Sequence, residues 1–125
     1  MPSESNKSIV LQFYQAFDNR NIEQALSFLS PNFVAHLAGK AEPLNRESFK
    51  QFGMEFYLAF ADGKHTFDEA IVEGNKVVTC GTFTATHLDD FQGIPPTGKK
   101  IKLSIMHVDL VEESKVQYLT GLHNL

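Results

Sequence analysis

Residues 100–111 read KIKLSIMHVDLV. Side chains alternate across an extended strand, so Ile101, Leu103, Ile105, His107 and Asp109 share one face, and Lys102, Ser104, Met106, Val108 and Leu110 share the other. Both faces become apolar toward the middle, the mark of a strand covered on two sides. A turn near Glu113 and Ser114 follows, and KVQYLTGLHNL (115–125) continues in the same way, with Gln117, Leu119, Gly121 and His123 on one side. Upstream stand HTFDEAIVE (65–73), a Gly74-Asn75 turn and KVVTCGTFTATH (76–87). The second half of the chain therefore reads as a meander of long strands.

The first half has a different period. Ile9, Phe13, Ala16 and Phe17 recur at helical spacing, with Val10 and Tyr14 widening the stripe, which predicts a helix from about Ser5 to Asp18 ended by Asn19. Asn21 with Gln24 three positions on resembles a cap for a short second helix in NIEQALSFLS (21–30), stopped by Pro31. NFVAHL (32–37) is a short strand candidate, and AGKAEPLN (38–45) is a loop. Asn45 caps a third helix with Phe49, Phe52, Phe56 and Phe60 down one face and Gly53 for close approach, ended by ADG (61–63). Helices followed by strands mean α+β. The expected architecture is one domain over residues 1–125, a curved antiparallel sheet wrapped around three N-terminal helices and closing a cone.

Composition narrows the function classes. The chain has 125 residues, 42% hydrophobic and 21% charged, with eleven Phe and no Trp, so a globular domain with a phenyl-rich interior is expected. Cys80 stands alone, which rules out an internal disulfide and suits a small core residue. MPSESNKSIV (1–10) is polar and unlike a secretory signal, so a cytoplasmic location is expected. No apolar run reaches the ~20 residues of a membrane span, so no membrane partner is expected. A net charge of −4, with Lys99, Lys100 and Lys102 the densest basic group, argues against nucleic acid. The five histidines lack metal-site spacing, and there is no nucleophile elbow, phosphate loop or dinucleotide fingerprint; no metal and no cofactor are expected.

The two faces of the last strands ask for different partners. Met106, Val108, Leu110, Val116, Tyr118 and Leu122 form an outer apolar face that the helices cannot cover, which predicts a homodimer through the sheet. The inner face places His107, Asp109 and His123 among Ile and Leu. Buried polar groups are costly without hydrogen bonds or a ligand, and several converging on one hollow read as a binding site.

THLDDFQGIPPTGKKIKL (86–103) resembles the segment Thr-His-x-x-x-Phe-x-Gly-Ile-Pro-Pro-Thr-Gly-Lys of SnoaL-like polyketide cyclases, within the nuclear transport factor 2-like superfamily. VLQFYQAFDNRNIEQALSFLSPNFVAH (10–36), IVEGNKVV (71–78) and HVDLVEESKV (107–116) keep the family order, so the resemblance covers nearly the whole chain. It implies a cone-shaped fold around a deep apolar pocket, usually in a dimer, with Phe13, Tyr14, Phe56, Phe83, Ile105, Leu119 and Gly121 as pocket candidates. Pro95 and Pro96 preset the crossover loop and Gly93 and Gly98 permit its turns, so it is read as a rigid strand-to-strand connection without ligand contact.

The resemblance also implies a chemistry. These cyclases close rings by an intramolecular aldol reaction, which takes a proton from the carbon beside a carbonyl, and an imidazole suits that task. His107 is the first candidate, at the position where the related ketosteroid isomerases place an oxyanion-stabilising acid. His36 stands where the family pattern often has histidine, and His123 has inward parity. The family's last-strand acid falls on Gly121, a departure that would enlarge the pocket and leaves Asp109 as the replacement carboxylate. The ligand expected is a small apolar carbonyl compound, turned over by a cyclase-like or isomerase-like reaction without cofactor. The alternatives are a non-enzymatic dimeric binding module using the same pocket, and a scaffolding dimer whose hollow is filled by Phe.

Overall fold

A computed structural model describes residues 3–38, 41–91 and 93–124, with side chains for 5–38, 41–91 and 93–121. The order is α1 (Ser3–Asp18), α2 (Ile22–Ser27), β1 (Leu29–Leu37), β2 (Leu44–Asn45), α3 (Arg46–Ala59), β3 (Lys64–Glu73), β4 (Lys76–Thr86), β5 (Lys100–Glu112) and β6 (Lys115–Asn124). Asn45 caps α3 through a reciprocal box with Ser48, and the Asn21 side chain accepts from the Gln24 amide at the start of α2. The strands form one curved sheet in the order β2-β1-β6-β5-β4-β3, a mixed α+β cone with its helices at the N-terminal end.

Three details differ from the strand pattern read in the sequence. The sheet is not antiparallel throughout, because β1 joins β6 in parallel. Pro31 stops no helix directly but lies inside β1, where the pairing slips between Leu29 and Val34 and no ladder N–H is needed. Val116 is fully buried rather than on the outer face. A bulge between Leu110 and Val111 pairs Val111 with Val116 and shifts the parity around Gln117. A second bulge, between Phe67 and Glu69, lets Phe67 and Val72 both face inward. Gly81 sits opposite it; a Cβ there would come within 1.9 Å of the Thr66 carbonyl oxygen, so only glycine permits the close approach that curls β3 over β4.

The core lies between the inner face of the sheet and the helices, around the fully buried Phe13, Phe33, Phe83 and Leu119. Phe49 of α3 meets Phe13, Phe17 and Phe33. The remaining ridge of α3, Phe52, Phe56 and Phe60, is covered by Phe91 of the proline loop at 6.4, 5.7 and 5.3 Å between ring centroids. That loop is tied at its neck by His87 N–H to Lys99 C=O and Gly98 N–H to His87 C=O, both 2.9 Å, and to α3 by Leu88 N–H to Ala59 C=O at 2.8 Å. These bonds hold the loop, and with it the Phe91 ring, on the third helix. No described helix is long and apolar enough to cross a membrane.

Candidate functional site

Asp109 of β5 is the centre of the inner face. Its register neighbours are Val77 and Leu119, and its carboxyl is fully buried between them. Tyr14 of α1 reaches across and donates from its hydroxyl to Asp109 Oδ2 at 3.0 Å; Oδ1 meets no donor among the described residues. Burial pushes this carboxyl up to about 7, and the hydrogen bond from Tyr14 offsets only part of the rise. The Tyr14 phenol is raised well above its ordinary value by burial and then by the charge of Asp109, so it remains a donor.

His107 completes this cluster. It lies opposite Thr79 on one side and Gly121 on the other, and its ring stacks on Tyr14 with centroids 4.6 Å apart and planes 20° apart. A Cβ at Gly121 would sit 3.2 Å from both His107 Cδ2 and Leu37 Cδ2. The bare position therefore accommodates the imidazole rather than leaving space behind. Thr79 Oγ1, on the same face, is fully buried and without a hydrogen-bond partner among the described residues.

One helical turn beyond Tyr14, Asp18 gathers a second group. Its Oδ1 accepts from the Tyr57 hydroxyl at 2.8 Å and lies 2.7 Å from His65 Nδ1, while its Oδ2 accepts from the His65 backbone N–H at 2.8 Å. Burial, followed by the Asp18 charge, raises the Tyr57 phenol far above its ordinary value. Arg20, in left-handed conformation with φ 63°, places its guanidinium 4.2 Å from the Tyr57 ring centroid and donates to the carbonyls of Asp18 and Ala61. It locks the end of α1 to the turn after α3.

Beside this group runs an open groove of about 720 Å³, lined by Leu11, Gln15, Asp18, Lys64, His65 and Phe67 among others. His65 and Phe67 stack on each other, and their rings lie 5.4 and 5.3 Å from Tyr14 and 6.0 and 6.3 Å from His107. A single layer of side chains separates the groove from the Asp109 cluster.

Of the residues singled out in the sequence, Tyr14, His107, Asp109 and Gly121 come together. His36 does not join them: its pairing with Thr120 puts it on the outer face, exposed, with its ring 5.1 Å from Tyr118. The side chains of His123 and Leu122 lie outside the described residues. Phe13, Phe83, Ile105 and Leu119 are buried in the core, and Phe56 is half-buried against Phe83 and Phe91. Asp18, His65 and Thr79 were not picked out from the sequence. The four-residue spacing of Tyr14 and Asp18 was a signal for Asp18, and the inward parity shared with Phe67 was one for His65. Among the described residues no three His, Cys, Asp or Glu side chains cluster as a metal would require.

Comparison with known proteins adds the family. A model of the SnoaL-like polyketide cyclases matches residues 8–123. No curated protein matches the sequence. Among solved structures, AclR of Streptomyces galilaeus is 20% identical with a TM-score of 0.88, covering 98% of this chain and 91% of its own. A polyketide cyclase-like protein of Acidithiobacillus ferrooxidans is 26% identical with a TM-score of 0.84 over 99% of this chain and 91% of its own. TerC, co-crystallised with polyporic acid, is 21% identical with a TM-score of 0.79 over 96% of this chain and 92% of its own.

Proposed function

This chain belongs to the SnoaL-like polyketide cyclase family, and from that premise we propose that it binds a small, largely apolar carbonyl compound on the inner face of its sheet and moves a proton at the carbon beside the carbonyl. The observation that carries the reading is the fully buried Asp109 carboxyl, brought to about 7 and placed beside His107 under the Tyr14 hydroxyl. A group that titrates near neutrality can accept a proton and give it back at physiological pH. Tyr14, kept protonated by its surroundings, is a donor for oxygen that gains negative charge.

The step balances within these residues. The C–H bond beside the carbonyl breaks and its electron pair forms the enolate. Asp109 in its ionised form takes the proton, and the Tyr14 hydroxyl, held by the stacked His107 ring and released from Asp109 as that carboxyl becomes neutral, donates its hydrogen to the enolate oxygen. Return of the proton to another carbon isomerises the ligand, whereas attack of the enolate carbon on a second carbonyl closes a ring. TerC, a neighbour of the same fold, was co-crystallised with polyporic acid, in keeping with a small-molecule ligand.

Deuterium exchange at the α-carbon of 2-tetralone, followed by NMR, tests the reading. The wild type is expected to accelerate exchange, and His107→Ala and Asp109→Asn to lose roughly 100-fold. Saturable binding with no acceleration selects the non-enzymatic binding module instead.

The outer sheet face supports pairing with a second copy. Ile71, Met106 and Tyr118 are 54, 43 and 40% exposed there, beside Val108 and Leu110. The homodimer proposed through this face leaves the groove open.

A further inference from the structure

We propose that His65, oriented by Asp18, is the residue that carries protons between the groove and the buried Tyr14–His107–Asp109 cluster; the inference rests on the proton-transfer reading above. Three observations lead to it. Asp18 takes three donors: the Tyr57 hydroxyl, the His65 backbone N–H and, at 2.7 Å, the His65 ring nitrogen Nδ1. A carboxylate so surrounded acts as an acceptor, so Nδ1 carries the ring hydrogen and Nε2 keeps its lone pair. Gripping both the main chain and the ring of one residue, Asp18 fixes the tautomer as well as the position.

The second observation is location. The His65 side chain is 13% exposed and lines the groove, yet its ring is 5.4 Å from Tyr14 and 6.0 Å from His107. Its other ring neighbours, Phe67 and Phe83, have no titratable group. The third is need. Asp109 is fully buried and Tyr14 is nearly so, so a proton removed from a ligand there requires a path to water when it is not returned to the same molecule. Among the described residues, His65 is the titratable side chain that both lines the groove and touches the cluster.

The cycle is neutral overall. Nε2 accepts a proton from the cluster side through ligand or water, Asp18 holds the ring in place, and the same proton leaves to water in the groove. Asp18 is a positioning residue in this account.

The test combines 2-tetralone exchange with long-range 1H–15N spectra of the histidine rings. The wild type should show His65 as the Nδ1–H tautomer, with Asp18→Asn populating the Nε2–H form; a wild-type Nε2–H signal overturns the inference. His65→Gln and Asp18→Asn should slow exchange roughly tenfold or more with tetralone affinity unchanged. Tyr57→Phe, which removes a hydrogen bond from Asp18 without touching His65, should stay within about twofold of wild type and controls for loosened packing. A wild type that fails to exchange the probe overturns the proposed function and this role with it. An active wild type matched by His65→Gln overturns this inference alone.

Discussion

Asp18 and Asp109 lie under the same aromatic layer, yet their surroundings differ in one countable respect. Asp18, at the groove, meets three donors and is partly wet. Asp109, on the inner face, meets one and is fully buried. Burial penalises the charged form of a carboxyl unless donors compensate. The first residue is thereby an orienting anchor, while the second is drawn toward neutrality. The contrast separates positioning from proton exchange across a single layer of side chains.

The most forceful way to break this contrast is to remove the inner carboxylate. The folded protein holds the Asp109 proton up to about pH 7, whereas an unfolded chain releases it near the ordinary 3.8. Between those values the native state binds more protons, so stability contributed at acid pH is lost as pH rises through the window. The difference is on the order of 4 kcal/mol. Denaturant titrations should therefore show the wild type weakening from pH 4 to pH 8 and Asp109→Asn weakening much less. Equal slopes would mean that the carboxyl does not titrate in isolation from water.

A smaller effect is expected from Gly121→Ala. The added methyl would press on His107 and Leu37 at 3.2 Å, costing about 1–3 kcal/mol through displaced packing. Movement of the His107 ring signals in NMR should accompany the loss; an unperturbed ring would show that the site yields elsewhere.

Tyr57→Phe sharpens the other half of the comparison. It deletes one of three donors to Asp18, leaves two in place, and should lower stability by about 1 kcal/mol in the same titration. A loss several times larger would make Tyr57, rather than His65, the principal partner of Asp18.

What could be read in the sequence follows the regularity of the backbone. From Ile101 to Leu110 alternation runs unbroken, and the inward placement of His107 and Asp109 was legible from period alone. At Val116 and after Phe67 a bulge shifts the phase, and nothing in the residue types there announces it. His36 turns outward for a related reason: its direction depends on parallel pairing with β6, a choice made by tertiary packing. Capping of α3 by Asn45 was local and legible. The Asp18–His65 contact joins residues 47 positions apart, and neither helical nor strand periodicity brings such partners together. Family order recovered the fold, but the chemistry around Asp109 became visible only once Tyr14 was placed against it.

The mildest expected effect lies on the convex face. Met106→Lys with Tyr118→Lys replaces two exposed apolar side chains and should change monomer stability by no more than about 0.5 kcal/mol. Sedimentation should nonetheless show a wild-type dimer and a monomeric double variant; equal masses would place the contact between copies elsewhere.

The most direct measurement is the 13C shift of the Asp109 side-chain carboxyl followed from pH 3 to pH 9 in the folded protein. A midpoint near 7, displaced in Tyr14→Phe, is the predicted result. A midpoint near 4 would contradict the account, since Asp109 would then be an ordinary ionised carboxylate with no proton to exchange at neutral pH.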